Sequence, residues 1–280
     1  MSSIKDRQRA AARARLEKEM AERATAARKR RQRQAVIGSA LAVVVVVAGA
    51  VWLVTSLGKD GDKSDNAAAP GPATGTATCT WTPDNASGNP NLKDVGTPPT
   101  SVPNTGTEIM TLDTNLGVIE AKLDLSKVPC TAASFAYLSS KKFFDNSKCH
   151  RLVDSDGFKV LQCGDPKATG KGYRKTDGYG GPTYKFAEEN LPTGQEKPYP
   201  EGVIAMANNG QPGSTGSQFF IVYGDTQLQP QYTLLGTITK GLDLVKKVGA
   251  AGDDGAFKEQ AGGGHPKMET VIKSLTLAAA

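Results

Sequence analysis

Residues 35–57 run for 23 positions without a charged side chain, centred on five consecutive valines at 43–47. A helix rises 1.5 Å per residue, so this stretch can cross a hydrocarbon layer about 30 Å thick. No other feature constrains the chain as much, because a spanning helix puts what flanks it into different compartments. Residues 1–34 hold 12 Lys/Arg against 4 Asp/Glu, including Arg28-Lys29-Arg30-Arg31. Basic residues beside a spanning helix stay in the cytoplasm. The expectation is a single-pass protein of the cell membrane with a cytoplasmic N-terminus and an extracytoplasmic remainder. Ala48-Gly49-Ala50 would suit a signal-peptide cleavage site, but Val51-Trp52-Leu53-Val54 carries the apolar run beyond it. An uncleaved anchor is therefore expected.

The net charge of +6 and pI near 9.0 would by themselves suggest a nucleic-acid partner. The arm at 1–34 carries +8, so everything after it sums to 6 − 8 = −2. The globular part is slightly acidic, and no nucleic acid is expected to bind it. The four cysteines, Cys79, Cys130, Cys149 and Cys163, all lie past the apolar run, where two disulfides are plausible. Three pairings are open. With no Cys-x-x-Cys and only His150 and His265 as histidines, neither metal nor cofactor is expected. There is also no Gly-x-Ser-x-Gly elbow and no phosphate-cradling Gly-Lys-Ser/Thr loop.

Residues 58–106 are rich in Gly, Pro, Ala, Thr, Asp and Asn without apolar periodicity, and read as an extended tether. Cys79-Thr80-Trp81 interrupts them and suggests a short segment docked and stapled onto the domain that follows. From residue 107 the texture changes. Ile109-Met110-Thr111-Leu112 and 118–123 flank Thr114-Asn115-Leu116-Gly117, which predicts a hairpin. Pro129 opens a helix to about Ser140, and a second helix is predicted from Leu242 to about Val248. Strands are predicted near 149–153, 159–163, 203–208, 217–223, 232–239 and 269–277. This is a β-rich domain over 107–280.

Within that domain stand Cys149-His150-Arg151-Leu152-Val153, Leu161-Gln162-Cys163-Gly164-Asp165, Met206-Ala207-Asn208 and Gly216-Ser217-Gln218-Phe219-Phe220. Strand alternation puts Arg151 on the face opposite His150, and Phe220 opposite Phe219. In this order the blocks resemble the cyclophilin-type peptidyl-prolyl isomerases, over about 107–277. The resemblance implies a mostly β fold: a closed eight-stranded antiparallel β-barrel capped by two α-helices. It implies an enzyme that speeds rotation about X–Pro bonds without cofactor or metal, acting as a monomer on proline-containing polypeptides. It assigns Arg151, Gln162 and Phe220 to catalysis. Val160, Phe158, Met206, Ala207, Asn208, Gln218, Leu228 and Tyr232 are assigned to substrate binding.

Such chemistry needs no nucleophile, because the barrier is lost amide resonance, about 18–20 kcal/mol. The twisted prolyl nitrogen regains a lone pair that a fixed guanidinium can meet. Three departures from the family pattern stand out. Ten residues separate Arg151 from Gln162, so Asp154-Ser155-Asp156-Gly157 is expected to bulge the turn; either Phe158 then reaches the second wall of the proline socket, or Lys159 occupies its place and leaves that wall open. The stretch 209–213 carries an extra residue. Gln227 stands where many members place a Trp that helps hold cyclosporin. The alternative is a proline-segment binding or scaffolding module of the cell envelope with little isomerase activity.

Overall fold

The computed structural model describes residues 75–84, 88–259 and 261–280. The expected basic arm and membrane-spanning run lie outside the described residues. The described part of the expected tether does not stand clear of the domain but straps onto it. Its strands β1 (Thr76–Thr78) and β4 (Ser101–Pro103) pair with each other, while β2 (Thr82–Pro83) and β3 (Leu92–Lys93) each join a strand of the domain. Cys79 is bonded to Cys130, and Trp81 packs edge-on against Tyr184 and Phe186 at 5.4 and 5.3 Å.

The hairpin forms as the alternation predicts. Strands β5 (Thr107–Thr114) and β6 (Gly117–Asp124) pair over eight positions and bury Met110, Leu112, Ile119 and Ala121. Helix α1 (Pro129–Ser140) begins at a proline, with no capping side chain from Val128. Its free N–H groups are met from far along the chain. Glu189 accepts from Cys130 N at 3.0 Å and Thr131 N at 2.8 Å, a carboxylate at the positive end of the helix.

The remaining strands are β7 (Ser147–Lys148), β8 (Arg151–Ser155), β9 (Phe158–Cys163), β10 (Gly181–Pro182), β11 (Tyr184–Lys185), β12 (Val203–Met206), β13 (Phe219–Val222), β14 (Leu234–Lys240) and β15 (Val271–Ala279). Helix α2 (Leu242–Ala251) precedes the last of them. Nine of the fifteen strands form one curled antiparallel sheet in the order β7-β15-β5-β6-β14-β12-β13-β9-β8. The eight strands expected become nine because one of them splits at Cys149–His150. There the chain changes partner: Cys149 N–H donates to Thr270 and His150 N–H to Gln162, at 2.9 and 3.0 Å. The sheet order therefore ends at two edges, β7 and β8, that are neighbours along the chain.

The expected bulge at 154–157 is absent. The β8–β9 register runs unbroken from Arg151↔Gln162 to Ser155↔Phe158, so the extra residues lengthen the hairpin and Asp156-Gly157 turn it. Gly157 takes a φ of 70°, which a side chain rarely tolerates. Cys149–Cys163 ties the base of the same hairpin.

Alternation sorts the interior into two clusters. Phe219 and Ile221 join Met110, Leu112, Phe135 and Phe144 in the larger one. Phe220 and Val222 face the other way, with Val153, Val160, Val203 and Ala205. Each large side chain so buried contributes about 1.5–3 kcal/mol. The smaller cluster underlies the candidate site.

Candidate active site

Arg151 opens β8 directly opposite Gln162 on β9, both held by a rigid ladder. Its Nη1 donates to Gln162 Oε1 at 3.1 Å, its Nε to the Gly262 carbonyl at 3.1 Å, and its Nη2 to the Ala261 carbonyl. Three of the five N–H groups of a guanidinium are thus engaged, and two remain for a ligand. No carboxylate pairs with Arg151 among the described residues, so its charge is positioned but not neutralised. Burial lowers its pKa, yet a guanidinium keeps its proton throughout the working range.

The amides continue the chain. Gln162 Nε2 donates to Gln218 Oε1 at 2.9 Å, and Gln218 Nε2 donates to the carbonyls of Gly178 and Gly180 at 2.8 and 2.9 Å. Each amide orientation is fixed by the next, so Arg151 is aimed by a relay that ends on backbone. The loop carbonyls are held in turn, since Asp165 accepts from Gly178 N and Gly180 N at 2.6 and 3.1 Å.

Beside this cation lies the apolar cluster. Phe220 forms its floor, only 5 % exposed, and meets Tyr232 edge-on at 5.5 Å and Tyr199 at 6.2 Å. Val160 is buried with it, while Phe158, Ala207, Leu228 and Tyr232 are half-buried around it. Phe158, not Lys159, packs against the Phe220 cluster. Its ring centroid is 5.6 Å from the Arg151 guanidinium carbon, whereas Lys159 turns away to pair with Asp154. Asn208 is tethered to the Gln231 carbonyl at 2.9 Å, and Ala207 N–H donates to Gln218 O at 2.9 Å. Met206 is the exception. Alternation along β12 sends its side chain into the larger core, fully buried, so it does not line the hollow with the others.

A cavity of about 340 Å³ adjoins the relay. Gln162, Gln218, Ala207 and Asn208 line it from the site, and Asp84, Asn89 and Leu92 from the strap.

His150 lies behind the sheet, as alternation requires. It is buried, with neither ring nitrogen partnered among the described residues. Burial depresses its pKa to about 4, against the pull of Asp165 and Asp177. Sequence reasoning missed three contributors. Tyr199, whose hydroxyl donates to Tyr232 O at 3.0 Å and whose pKa burial pushes up to about 12, shows in the sequence only as a Tyr between two prolines. The Ala261 and Gly262 carbonyls sit about 110 residues from Arg151, in a loop whose glycine run was the one available signal. A side chain at Gly263 would strike Leu152 O, 1.9 Å away, so that loop reaches Arg151 only as glycine. The carbonyls at Gly178 and Gly180 gave no signal.

The family model for cyclophilin type peptidyl-prolyl cis-trans isomerase/CLD matches residues 109–276, more than half of the chain. The chain belongs to the cyclophilin family. Curated relatives include a probable peptidyl-prolyl cis-trans isomerase B of Mycobacterium leprae, 46 % identical over 180 residues, covering 59 % of this chain and 55 % of the relative. One of the same name from Mycobacterium tuberculosis is 39 % identical over 206 residues, covering 70 % of this chain and 61 % of the relative. The chain therefore spans somewhat over half the length of these two relatives. Among solved structures, a cyclophilin type peptidyl-prolyl cis-trans isomerase of Cryptosporidium parvum matches with a TM-score of 0.50 at 26 % identity, covering 62 % of this chain and 99 % of that one.

Proposed function

We propose that this chain is a peptidyl-prolyl cis-trans isomerase working on proline-containing stretches of exported polypeptides, and that Arg151 is the group that lowers the barrier. The observation that carries this reading is an unneutralised guanidinium, with two N–H groups to spare, fixed at the rim of the Phe220 hollow. The proline ring seats on Phe220 between Phe158, Val160, Leu228 and Tyr232. The Gln162–Gln218 relay, with Ala207 and Asn208, holds the backbone ahead of the proline. As the amide twists, the prolyl nitrogen pyramidalises and accepts a charge-assisted bond from Arg151. The planar ground state accepts it poorly, so the contact favours the transition state. Bringing a step of about 10–100 s to milliseconds takes roughly four to five decades, about 5.5–7 kcal/mol. No proton moves and no covalent bond breaks.

In the same reading β7 and β8 count as one strand, which makes the curled sheet an eight-stranded ring covered by α1 and α2. The apolar run at 35–57 holds the domain on the outer side of the cell membrane as a monomer, without nucleic acid. A coupled proline-peptide assay on the full-length chain tests the central claim. Wild type accelerates the cis-to-trans step and Arg151→Ala loses most of that acceleration. Equal rates in the two would remove Arg151 from the chemistry, and no acceleration by wild type would remove the enzyme.

A further inference from the structure

A second cavity, of about 330 Å³, lies where the strap strand β4 crosses α1 and the end of the β5–β6 hairpin. Its size is at the lower end of small-molecule sites, roughly 300–1,000 Å³. It shares no lining residue with the Arg151 groove. Pro103, Leu125, Pro129, Ala133 and Ala136 give it methyl and ring surface, the last three along one face of α1. Among them stands one carboxylate. Glu108 falls on the same face of β5 as Met110 and Leu112, the face that alternation turns inward. Its Oε2 is buried and has no hydrogen-bond partner among the described residues. Burial raises its pKa.

A desolvated carboxylate oxygen without a partner is costly, and native structures rarely keep one without a reason. Hard metal ions need six or more oxygen ligands, and this lining is mostly hydrocarbon. What matches one carboxylate in an apolar cleft is a single N–H cation with an apolar body. We infer that the cleft between β4, α1 and Glu108 is a binding site, separate from the catalytic groove, for a primary ammonium carried on a short apolar body. The Glu108 side chain turns to present its carboxylate to the cleft, the ammonium donates to it, and the body packs on Pro103, Leu125 and Ala133.

Phenethylammonium serves as the probe, titrated calorimetrically into the full-length chain at neutral pH. Saturable binding is expected, at least tenfold weaker in Glu108→Gln and lost in Ala133→Leu, which fills the cleft. The neutral analogue 2-phenylethanol should bind wild type at least tenfold more weakly, a comparison that needs no variant to fold. Absence of saturable binding by wild type would overturn the inference. So would equal affinity of Glu108→Gln, or equal affinity for the neutral analogue.

Discussion

Replacing Arg151 by lysine keeps the charge and removes the fork, which separates position from electrostatics. The guanidinium is fixed from three directions, by the Gly262 carbonyl at Nε, the Ala261 carbonyl at Nη2 and the Gln162 amide at Nη1. A lysine ammonium presents three donors from a single nitrogen on a flexible stem, and cannot meet all three partners while aiming at a fourth. Hydrogen bonds to charged groups contribute about 1.5–3 kcal/mol. If lysine loses the bond to the twisted nitrogen, kcat/KM falls by roughly one to two decades at 1.36 kcal/mol per decade. KM should change little, because the Phe220 hollow and the amide relay still bind the peptide. The assay is cis-to-trans conversion of a proline tetrapeptide at several concentrations, with the unfolding midpoint measured alongside. Arg151→Lys working within twofold of wild type would refute the argument, since charge without geometry would then suffice.

Three further outcomes follow from the structure. His150, buried with its pKa depressed to about 4 against an ordinary 6.5, binds a proton more readily when unfolded. The stability it contributes is present above pH 6.5 and is lost as pH falls toward 4, on the order of 3 kcal/mol in full; urea unfolding at stepped pH should show that slope, and His150→Gln should flatten it. Cys79–Cys130 closes 51 residues of chain and Cys149–Cys163 closes 14. The chain-entropy relation gives about 4 and 3 kcal/mol, so Cys79→Ser/Cys130→Ser should lower urea stability at least as much as Cys149→Ser/Cys163→Ser, and the reverse ranking would mean the strap is barely held by its staple. Gln227, exposed and turned toward Asp225 at 3.3 Å, offers no indole beside Leu228; cyclosporin should inhibit weakly, and tight inhibition at nanomolar drug would contradict this.

The parts of the fold that could be read from sequence are those whose causes are local. The β5–β6 hairpin, α1 and α2 are announced by alternation, a proline and helical spacing, and they stand close to their expected ranges. The same alternation separated Phe220 from Phe219, and Arg151 from His150. Met206 was misassigned because the resemblance named a motif, while the pleat decides which of its members look into the hollow. What stayed hidden depends on contacts between distant parts of the chain. The cap that Glu189 places on α1, the carbonyls of 261–262 around Arg151 and the Cys79–Cys130 pairing join positions 51 to 111 apart. The strap was legible only at Cys79-Thr80-Trp81, where docking was expected and is found; the rest of it was hidden for another reason. Its strands are two or three residues long, too short for a period to show, and they are held by a disulfide and by Trp81 rather than by a patterned face.

The way Arg151 is gripped has a consequence for where such a catalyst can operate. Peptide carbonyls and carboxamides surround it, and none of these ionises between mild acid and mild base. On the proposed mechanism, turnover draws on no proton from these groups, so moderate drift in the surrounding medium would leave it unslowed until the scaffold itself gives way.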